Sequence, residues 1–401
     1  MEKNEFIYSA LIINIDELWL KGNNRHFYFK SLKNHIRLVS DFYYKKQYSI
    51  SSENHRFVLQ TENYFSNSFV KALSKIPGIH SIIPAIKTDK DFDKIFPAVK
   101  KELDQKDLHI IKSFRISTKR ADKTFSPDSM EVSKRIGSMV LDSFRSLKVD
   151  LTNPDVTIGI RILSDHIYIS SSSIRATGGL PIGTGGHIIT LLSGGIDSPV
   201  ASYLMSKRGC KQTFLFFYAY PLVSSDVKDK IKKLASILAG YQKYSKLYII
   251  PFGNFQKKIS KLCIPGYRTL LFRKYMMELA AILAEKIRAE ALLTGDSLGQ
   301  VSSQTLKNIS VLEQFTPITV LRPLIGFNKI ETINIAKKIG TYDVSIIPFD
   351  DACSMLSPKH PILKADSDYM RKFFYENDFS EELNELLINS EIIDMNPTGI
   401  S

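Results

Sequence analysis

Cysteine is scarce in this chain: three in 401 residues, Cys210, Cys263 and Cys353, at no spacing that suits a metal. An odd, dispersed trio excludes a disulfide framework and a zinc site, and it fits a reducing compartment such as the cytoplasm. Long apolar runs are missing too. None reaches the eighteen or so residues a membrane-spanning helix needs, and the N-terminal stretch carries charges among its apolar residues and no small-residue cleavage site. No internal repeat or low-complexity tract occurs, and the absence of GxxxxGK[ST] argues against a P-loop NTPase. Acidic residues are the minority charge, 41 Asp and Glu against 54 Lys and Arg, for a formal +13 that suits a polyanionic partner. The surplus is uneven, because residues 1–176 hold 28 basic and 20 acidic side chains and so carry +8 of it.

What is present is a globular composition, 44% hydrophobic and 24% charged. Its length exceeds what one core usually fills, so two or three domains are expected. The texture changes where five glycines and a proline fall between Thr177 and Gly186. Upstream, short β-rich runs (Ile7–Ile13, Phe57–Gln60, His109–Ile116, Thr157–Ile162, His166–Ser170) alternate with helical stretches at Phe27–Asp41 and Met130–Leu147. That pattern reads as small α+β units. Downstream, apolar runs at His187–Leu192, Gln212–Ala219, Lys246–Phe252, Ala289–Thr294 and Ile318–Leu324 alternate with helical patterns at Ser198–Arg208, Asp226–Ala239, Thr269–Arg288, Ser302–Gln314 and Lys329–Ile339. This rhythm predicts an α/β fold with a doubly wound parallel sheet and ligands at the carboxyl ends of its strands.

The sharpest motif lies at such an end: Leu191-Leu192-Ser193-Gly194-Gly195-Ile196-Asp197-Ser198-Pro199 follows a β-run and opens a helix. Two glycines allow a tight turn and close approach of backbone N–H groups to an anion, and the helix N-terminus adds favourable partial charge. Ser193 and Ser198 offer hydroxyls to phosphate oxygens, and Asp197 can organise Mg²⁺ or a phosphate-bound water. A plain Gly-Gly turn with Ser198 or Asp197 as helix N-cap is the structural alternative. The five fixed letters of SGGxDS would arise by composition in roughly one chain in a thousand of this length, which favours a phosphate cradle.

SGGIDS resembles the pyrophosphate-loop signature of the ATP pyrophosphatases. Together with GGLPIGTGG at 178–186, TGDSLGQVSSQTL at 294–306, RPLIGFNKIETINIAKKIGTYDVS at 322–345 and VDLTNPDV at 149–156, it makes nearly the whole chain similar to the tRNA 4-thiouridine synthetases (tRNA uracil 4-sulfurtransferases). The resemblance implies a ferredoxin-like domain at residues 1–67, a THUMP RNA-binding domain at 68–173, a Gly-rich linker at 174–186 and an ATP pyrophosphatase domain at 187–401. It implies that ATP and Mg²⁺ serve to adenylate uridine 8 of tRNA before sulfur replaces O4. A secondary role in sulfur transfer for the thiamine thiazole follows from the same likeness. Carried over, the ATP site comprises Leu191, Leu192, Ser193, Gly194, Gly195, Asp197, Ser198, Phe216, Phe217, Arg273, Gly295 and Gln304, with Asp197 as catalytic residue and the ligand of Mg²⁺. On the residues alone, Arg273 reads equally as a salt-bridged arginine, core packing explains at least one of the two phenylalanines, and Gly295 also suits a plain turn.

Sulfur chemistry needs a thiol able to become a persulfide. Cys210 and Cys263 stand in apolar contexts and read as small buried hydrophobes, whereas Cys353 lies in the polar stretch Pro348-Phe349-Asp350-Asp351-Ala352-Cys353-Ser354. Its acidic neighbours would raise rather than lower the thiol pKa, so activation is expected from elsewhere, with Lys359, His360 or the bound substrates as candidates. Similar enzymes without a rhodanese domain often have Asp-Cys-Cys-Thr where this chain has Asp351-Ala352-Cys353-Ser354, so one thiol would both accept and donate sulfur. No rhodanese extension is recognised, and a separate cysteine desulfurase is the expected persulfide donor. Two rivals stay open: an amidating synthetase, weakened because all three cysteines lie after residue 209, and a non-catalytic tRNA-binding protein with an inactive nucleotide site.

For the tRNA itself, the candidates are Lys21 and Arg25 in LKGNNR, which resembles a loop of the ferredoxin-like unit, and the cluster Arg115, Lys119, Arg120 and Lys123. Such groups can follow phosphates without reading sequence. A cytoplasmic protein is expected, with no membrane partner and with a homodimer left open. An isolated 1–176 fragment is expected to bind tRNA with an affinity that falls steeply as salt rises, because each phosphate contact releases counterions. A flat titration from low to physiological salt would remove the argument from charge.

Overall fold

Two sheets organise the residues that the computed structural model describes, namely 7–16, 24–53, 56–221, 226–348, 356, 358 and 360–400. The described residues within 1–20, 36–75 and 79–178 form one unit, and those within 21–35, 76–78 and 179–401 form a second.

The first unit carries β1 (Ala10–Ile15), β2 (Ser49–Glu53), β3 (Arg56–Gln60), β4 (Ile79–Asp89), β5 (Ser113–Arg120), β6 (Lys148–Val149), β7 (Val156–Ile162), β8 (His166–Ser170) and β9 (Ile174–Arg175). They run in the order β2-β3-β1-β4-β8-β7-β5-β6, with β9 also on β4. The long β4 joins two half-sheets: Ile79 to Ala85 pair with β1, and Ile86 to Asp89 pair with β8. Its sequence hid it, since a proline inside an apolar run argues against a strand. Pro84 is accommodated because it stands where the partner on the second side changes from β9, which ends at Ile82, to β8, which begins at Ile86. The strand expected from His109 starts instead at Ser113. Asp107 Oδ1 accepts from His109 N at 3.0 Å and draws the intervening residues into a turn.

The helices here are α1 (Arg25–Tyr44, shared between the units), α2 (Asn67–Lys75), α3 (Ile95–Leu103) and α4 (Ser129–Ser143). Strand β7 shows the period-2 logic of a one-sided sheet: Val156, Ile158, Ile160 and Ile162 are buried, while Thr157, Gly159 and Arg161 face outward. The Asn153-Pro154-Asp155-Val156 motif acts as a clamp, because Asp155 Oδ2 accepts from Lys112 N, Ser113 N and Ser113 Oγ at 2.8–2.9 Å.

The second unit contains β10 (His187–Leu191), β11 (Lys211–Tyr218), β12 (Ser245–Pro251), β13 (Ala291–Leu293), β14 (Thr319–Leu321), β15 (Glu391–Asn396) and β16 (Gly399–Ile400). The first five are parallel in the order β14-β13-β10-β11-β12, and β15 and β16 add an antiparallel edge. In chain order that is 5-4-1-2-3. The winding reverses at β10, so the crevice beyond the carboxyl ends of β10 and β13 is the topological switch point where such sheets bind ligands.

Around this sheet lie α5 (Asp197–Lys207), α6 (Asp226–Ala239), α7 (Gly253–Leu262), α8 (Arg268–Ile287), α9 (Leu306–Gln314), α10 (Lys329–Ile339), α11 (Tyr342–Ser345), α12 (Ser367–Glu376) and α13 (Ser380–Ile388). Leu271, Phe272 and Tyr275 of α8 pack with Ile189, Leu215 and Phe217 on one face, while Ile231 and Ala235 of α6 pack with Phe214 and Phe216 on the other. Each of the buried leucines, isoleucines and phenylalanines among these contributes roughly 1.5–3 kcal/mol. The helix expected over 302–314 divides: Ser302–Gln304 form a 3₁₀ turn, and extended Thr305 caps α9 through Asn308 N. Among the described residues no helix is long and apolar enough to cross a membrane.

His35 of α1 is fully buried, with Nε2 3.1 Å from Gln242 O, and burial pushes its imidazole down to about 3 from 6.5. The native state therefore holds it neutral, and the stability linked to it is complete above pH 6.5 and lost as the pH falls toward 3. His35→Gln is predicted to flatten that dependence in urea-unfolding series between pH 7 and about 4; an unchanged slope would show that His35 does not govern it.

Candidate functional site

The site begins where β10 ends. Ser193 N donates to Ser198 Oγ at 2.8 Å, the two seryl oxygens lie 3.0 Å apart, and Gly195 N donates to Ser193 Oγ at 3.4 Å. Ser198 thus closes the loop rather than capping the helix. Ile196, at the N-cap of α5, has helical backbone angles and makes no side-chain cap bond, so the helix opens without a side-chain acceptor on its first N–H groups. An uncapped helix start behind a Gly-Gly loop favours an anion.

Next to this loop lies a cavity of about 470 Å³ lined by Leu191, Ser193, Asp197 and Ser198, by Thr269, Arg273, Met276 and Met277 of α8, and by Thr294–Asp296, Val301–Gln304 and Pro361. Helical spacing puts the four α8 residues on one face. Gly295 permits the two loops to meet: a Cβ there would stand 2.6 Å from Ser198 N and 2.8 Å from the Asp197 carbonyl carbon. Gly195 differs, since its Cβ would meet only Ser193 Oγ at 3.6 Å, an ordinary contact.

The buried Asp296 carboxylate ties the wall together. Its Oδ1 accepts from Arg273 Nη2 at 2.5 Å and Gln304 Nε2 at 3.1 Å, and its Oδ2 from Thr294 Oγ1 at 2.9 Å and Arg322 Nε at 3.2 Å. Burial alone would push its carboxyl up, but the Arg273 and Arg322 guanidiniums and these bonds hold it below the ordinary carboxylate range. Gln304 Oε1 is buried and receives no hydrogen bond within the described structure. Asp197 accepts from Lys329 Nζ at 2.8 and 3.0 Å and from Gln300 Nε2 at 2.9 Å.

Of the residues singled out in the sequence, Leu191, Ser193, Asp197, Ser198, Arg273, Gly295 and Gln304 converge on this cavity, with Gly194 and Gly195 in the adjoining loop. Leu192 and Phe216 pack under α6 and Phe217 packs against Phe252 on the opposite face, so none of the three lines it. Arg273 meets the salt-bridge reading through Asp296 while also forming the wall. Cys353, Lys21 and Lys359 lie outside the described residues. Cys210 and Cys263 are buried; burial pushes the first thiol up to about 11 and also raises the second. Sequence reasoning gave no role to Asp296, Gln300, Arg322 or Lys329. Their signal was position, since each follows β13 or β14 at the carboxyl edge of the sheet.

In the first unit, strand alternation places Arg115, Ser117 and Lys119 of β5 beside Thr157, Gly159 and Arg161 of β7 on the outward face. Arg115 is half-buried and donates to Leu151 O at 3.0 Å, while Lys119 and Lys123 are exposed. Arg120 belongs to the other face, where its guanidinium donates to Phe125 O and holds the loop before α4. Arg25, in the second unit, stacks over the Phe29 ring at 5.4 Å.

Does the cavity suit a divalent cation? Among the described residues no group of three or more His, Cys, Asp or Glu could hold one. Asp197 offers a single carboxylate beside an anion-favouring loop, which fits Mg²⁺ bound through one carboxylate plus phosphate oxygens and water.

A glycine-rich loop opening a helix at the switch point of a doubly wound sheet defines a nucleotide-dependent α/β enzyme. The chain belongs to the tRNA sulfurtransferase family. Residues 183–379 match the family described as Thiamine biosynthesis protein (ThiI), residues 89–172 the THUMP domain, and residues 10–82 the ThiI ferredoxin-like domain. The probable tRNA sulfurtransferase of Thermoanaerobacter pseudethanolicus is 38% identical over 94% of this chain and 99% of its own. That of Acetivibrio thermocellus is 36% identical over 96% and 98%. A crystal structure of a 4-thiouridine synthetase–RNA complex with bound ATP aligns with a TM-score of 0.88 at 29% identity, covering 96% of this chain and 99% of that one.

Asp296→Asn is predicted to lower stability at neutral pH. Because the carboxyl titrates below its ordinary value, its contribution is present above about 4 and lost as the pH falls through the native value, so the gap to wild type should narrow on acidification. A gap independent of pH would contradict this. Gly295→Ala is predicted to separate the two loops and to cost about 1–3 kcal/mol in urea unfolding.

Proposed function

We propose that this chain replaces O4 of uridine 8 in tRNA with sulfur, using ATP to activate the base. ATP-dependent sulfur transfer to tRNA is its function. The observation that carries the finer reading is the switch-point cavity, in which the SGGIDS loop, the uncapped start of α5 and the Asp296-braced wall converge. Two further features favour a bound nucleotide: the space beside Gly195, where among the described residues a Cβ would meet only Ser193 Oγ at 3.6 Å, and the buried Gln304 Oε1, which receives no hydrogen bond within the described structure.

In this reading the phosphates lie against Ser193–Ser198 and the base lies toward Leu191, Arg273, Gly295 and Gln304. Asp197 holds Mg²⁺, which would supply neutralisation of phosphate charge. O4 of the uridine attacks the α-phosphorus; the new P–O bond forms as the bond to the β-phosphate breaks, and pyrophosphate leaves. The terminal sulfur of a Cys353 persulfide then adds at C4, the C4–O4 bond breaks, and AMP departs with the oxygen. A thiolate attacking Cys353 Sγ opens the remaining S–S bond and leaves 4-thiouridine together with a disulfide on Cys353. Burial and raised thiol pKa values disfavour Cys210 and Cys263 for that role, so the thiol comes from the donor or from solution. Rate enhancement rests on orientation of O4 and stabilisation of the leaving pyrophosphate.

The tRNA is gripped by the 1–67 and 68–173 domains, with Arg115, Lys119 and Lys123 along its phosphates and Lys21 and Arg25 contributing from the LKGNNR segment. Arg120 acts through the loop that it holds. A cytoplasmic cysteine desulfurase supplies the persulfide.

Asp197→Ala is predicted to keep tRNA binding within about threefold of wild type and to abolish tRNA-dependent pyrophosphate release, since phosphate contacts rather than the loop supply RNA affinity. Cys353→Ser is predicted to keep AMP formation and to yield no 4-thiouridine. Filter binding, pyrophosphate release and nucleoside mass spectrometry separate these outcomes, and 4-thiouridine made by Cys353→Ser would refute the persulfide assignment.

A further inference from the structure

The nucleotide cavity is bordered by exposed apolar side chains that nucleotide binding does not use. Leu298 and Val301 are each 50% exposed, Leu306 is 71% exposed and Leu363 56%. Val301 and Pro361 also line the cavity, so this apolar lip is continuous with its mouth. The segments that bear it are firmly held. Ser297 Oγ donates to Phe327 O at 2.9 Å, Leu298 N to Ile325 O at 3.1 Å and Gly299 N to Gln304 O at 2.9 Å, while Gln300 Nε2 reaches Asp197 Oδ2 at 2.9 Å. Gly299, at a φ of +74°, supplies the left-handed backbone that the turn needs. Thr305 Oγ1 donates to Leu363 O at 2.7 Å and so ties the start of α9 to the segment that carries Leu363. Charge narrows what the lip can meet: no Asp or Glu occurs from Ser297 to Leu312, and Lys307 and Lys364 are exposed next to Leu306 and Leu363 in the chain. Apolar side chains on a braced turn, with cations and no acids around them, suit a polyanion whose bases can be pried apart.

We propose that this lip, with Leu298 at its tip, is the wedge that extrudes the target uridine: Leu298 enters the base stack where the uridine leaves it, and the freed base enters the cavity beside Val301. A base stacked inside folded RNA cannot bring O4 to a phosphorus atom held in a cavity, so the enzyme must meet the cost of unstacking. A large aliphatic side chain on a rigid turn meets it by filling the vacated space, and little further ordering is needed on binding. The inference rests on the reading that uridine is adenylated in this cavity.

The test follows pyrophosphate release by the full chain with ATP and tRNA and with no sulfur donor present, so that docking of a donor protein cannot enter. Leu298→Ser should lower kcat on intact tRNA by roughly ten- to thirtyfold, and Leu298→Met should restore most of it. On a tRNA with abasic nucleotides on both sides of the target uridine, Leu298→Ser and wild type should agree within about twofold, because no stacked neighbour remains to be displaced. A second readout places 2-aminopurine next to the uridine in otherwise intact tRNA: wild type should brighten it on binding, and Leu298→Ser should leave it quenched. If wild type does not turn over the abasic tRNA, this fluorescence decides. An equal loss on both tRNAs, undiminished release on intact tRNA, or equal brightening by the two proteins would overturn the proposal. So would a loss that appears only in 4-thiouridine formation with the donor added, which would assign the lip to the donor protein. If wild type releases no pyrophosphate with intact tRNA, the adenylation reading falls and this one with it.

Discussion

A single buried carboxylate organises the nucleotide end of this protein. Asp296 draws donors from four places in the chain: Arg273 of α8, Thr294 at the end of β13, Gln304 of the 3₁₀ turn and Arg322 after β14. A buried acid without partners would take up a proton or disrupt its surroundings, whereas one with two guanidiniums and two neutral donors stays ionised and fixes all of them. Arg322 passes the constraint outward to Glu313 of α9. The cavity wall is therefore held by electrostatics in a place where water is scarce.

The opposite wall depends on backbone contact rather than charge. Gly295 sits so close to Asp197 and Ser198 that no side chain fits between, which presses the loop after β13 onto the start of α5. The parallel sheet dictates this meeting, because β10 and β13 are neighbours with their carboxyl ends together. Helix start, glycine loop and arginine-bearing wall thus converge by topology, from segments about a hundred residues apart.

Much of this was legible in the sequence. The five parallel strands and α6 and α10 fall within a few residues of their expected positions, because buried β-runs between amphipathic helices leave little ambiguity. The SGGIDS loop, Gly295, Arg273 and Gln304 were found by motif and family likeness, and the fold brings them to one cavity. Legibility ended where the reason was tertiary. β4 contains Pro84, the helix over 302–314 breaks at Thr305, and the side chains of Leu192, Phe216 and Phe217 pack in the core, which sequence alone did not distinguish from a lining position. Asp296 and Lys329 carried only a positional signal, at the carboxyl edge after β13 and β14, because the partners that define their roles come from other segments. Arg120 sits among basic residues in sequence, but strand alternation turns it away from Arg115 and Lys119.

The central proposal is that the switch-point cavity and the Cys353 stretch together serve to put sulfur into tRNA. Its most direct measurement is nucleoside mass spectrometry of bulk tRNA from cells lacking this gene, with and without the gene restored. The account predicts that 4-thiouridine disappears on deletion and returns on complementation. Undiminished 4-thiouridine in a strain lacking this gene would contradict it.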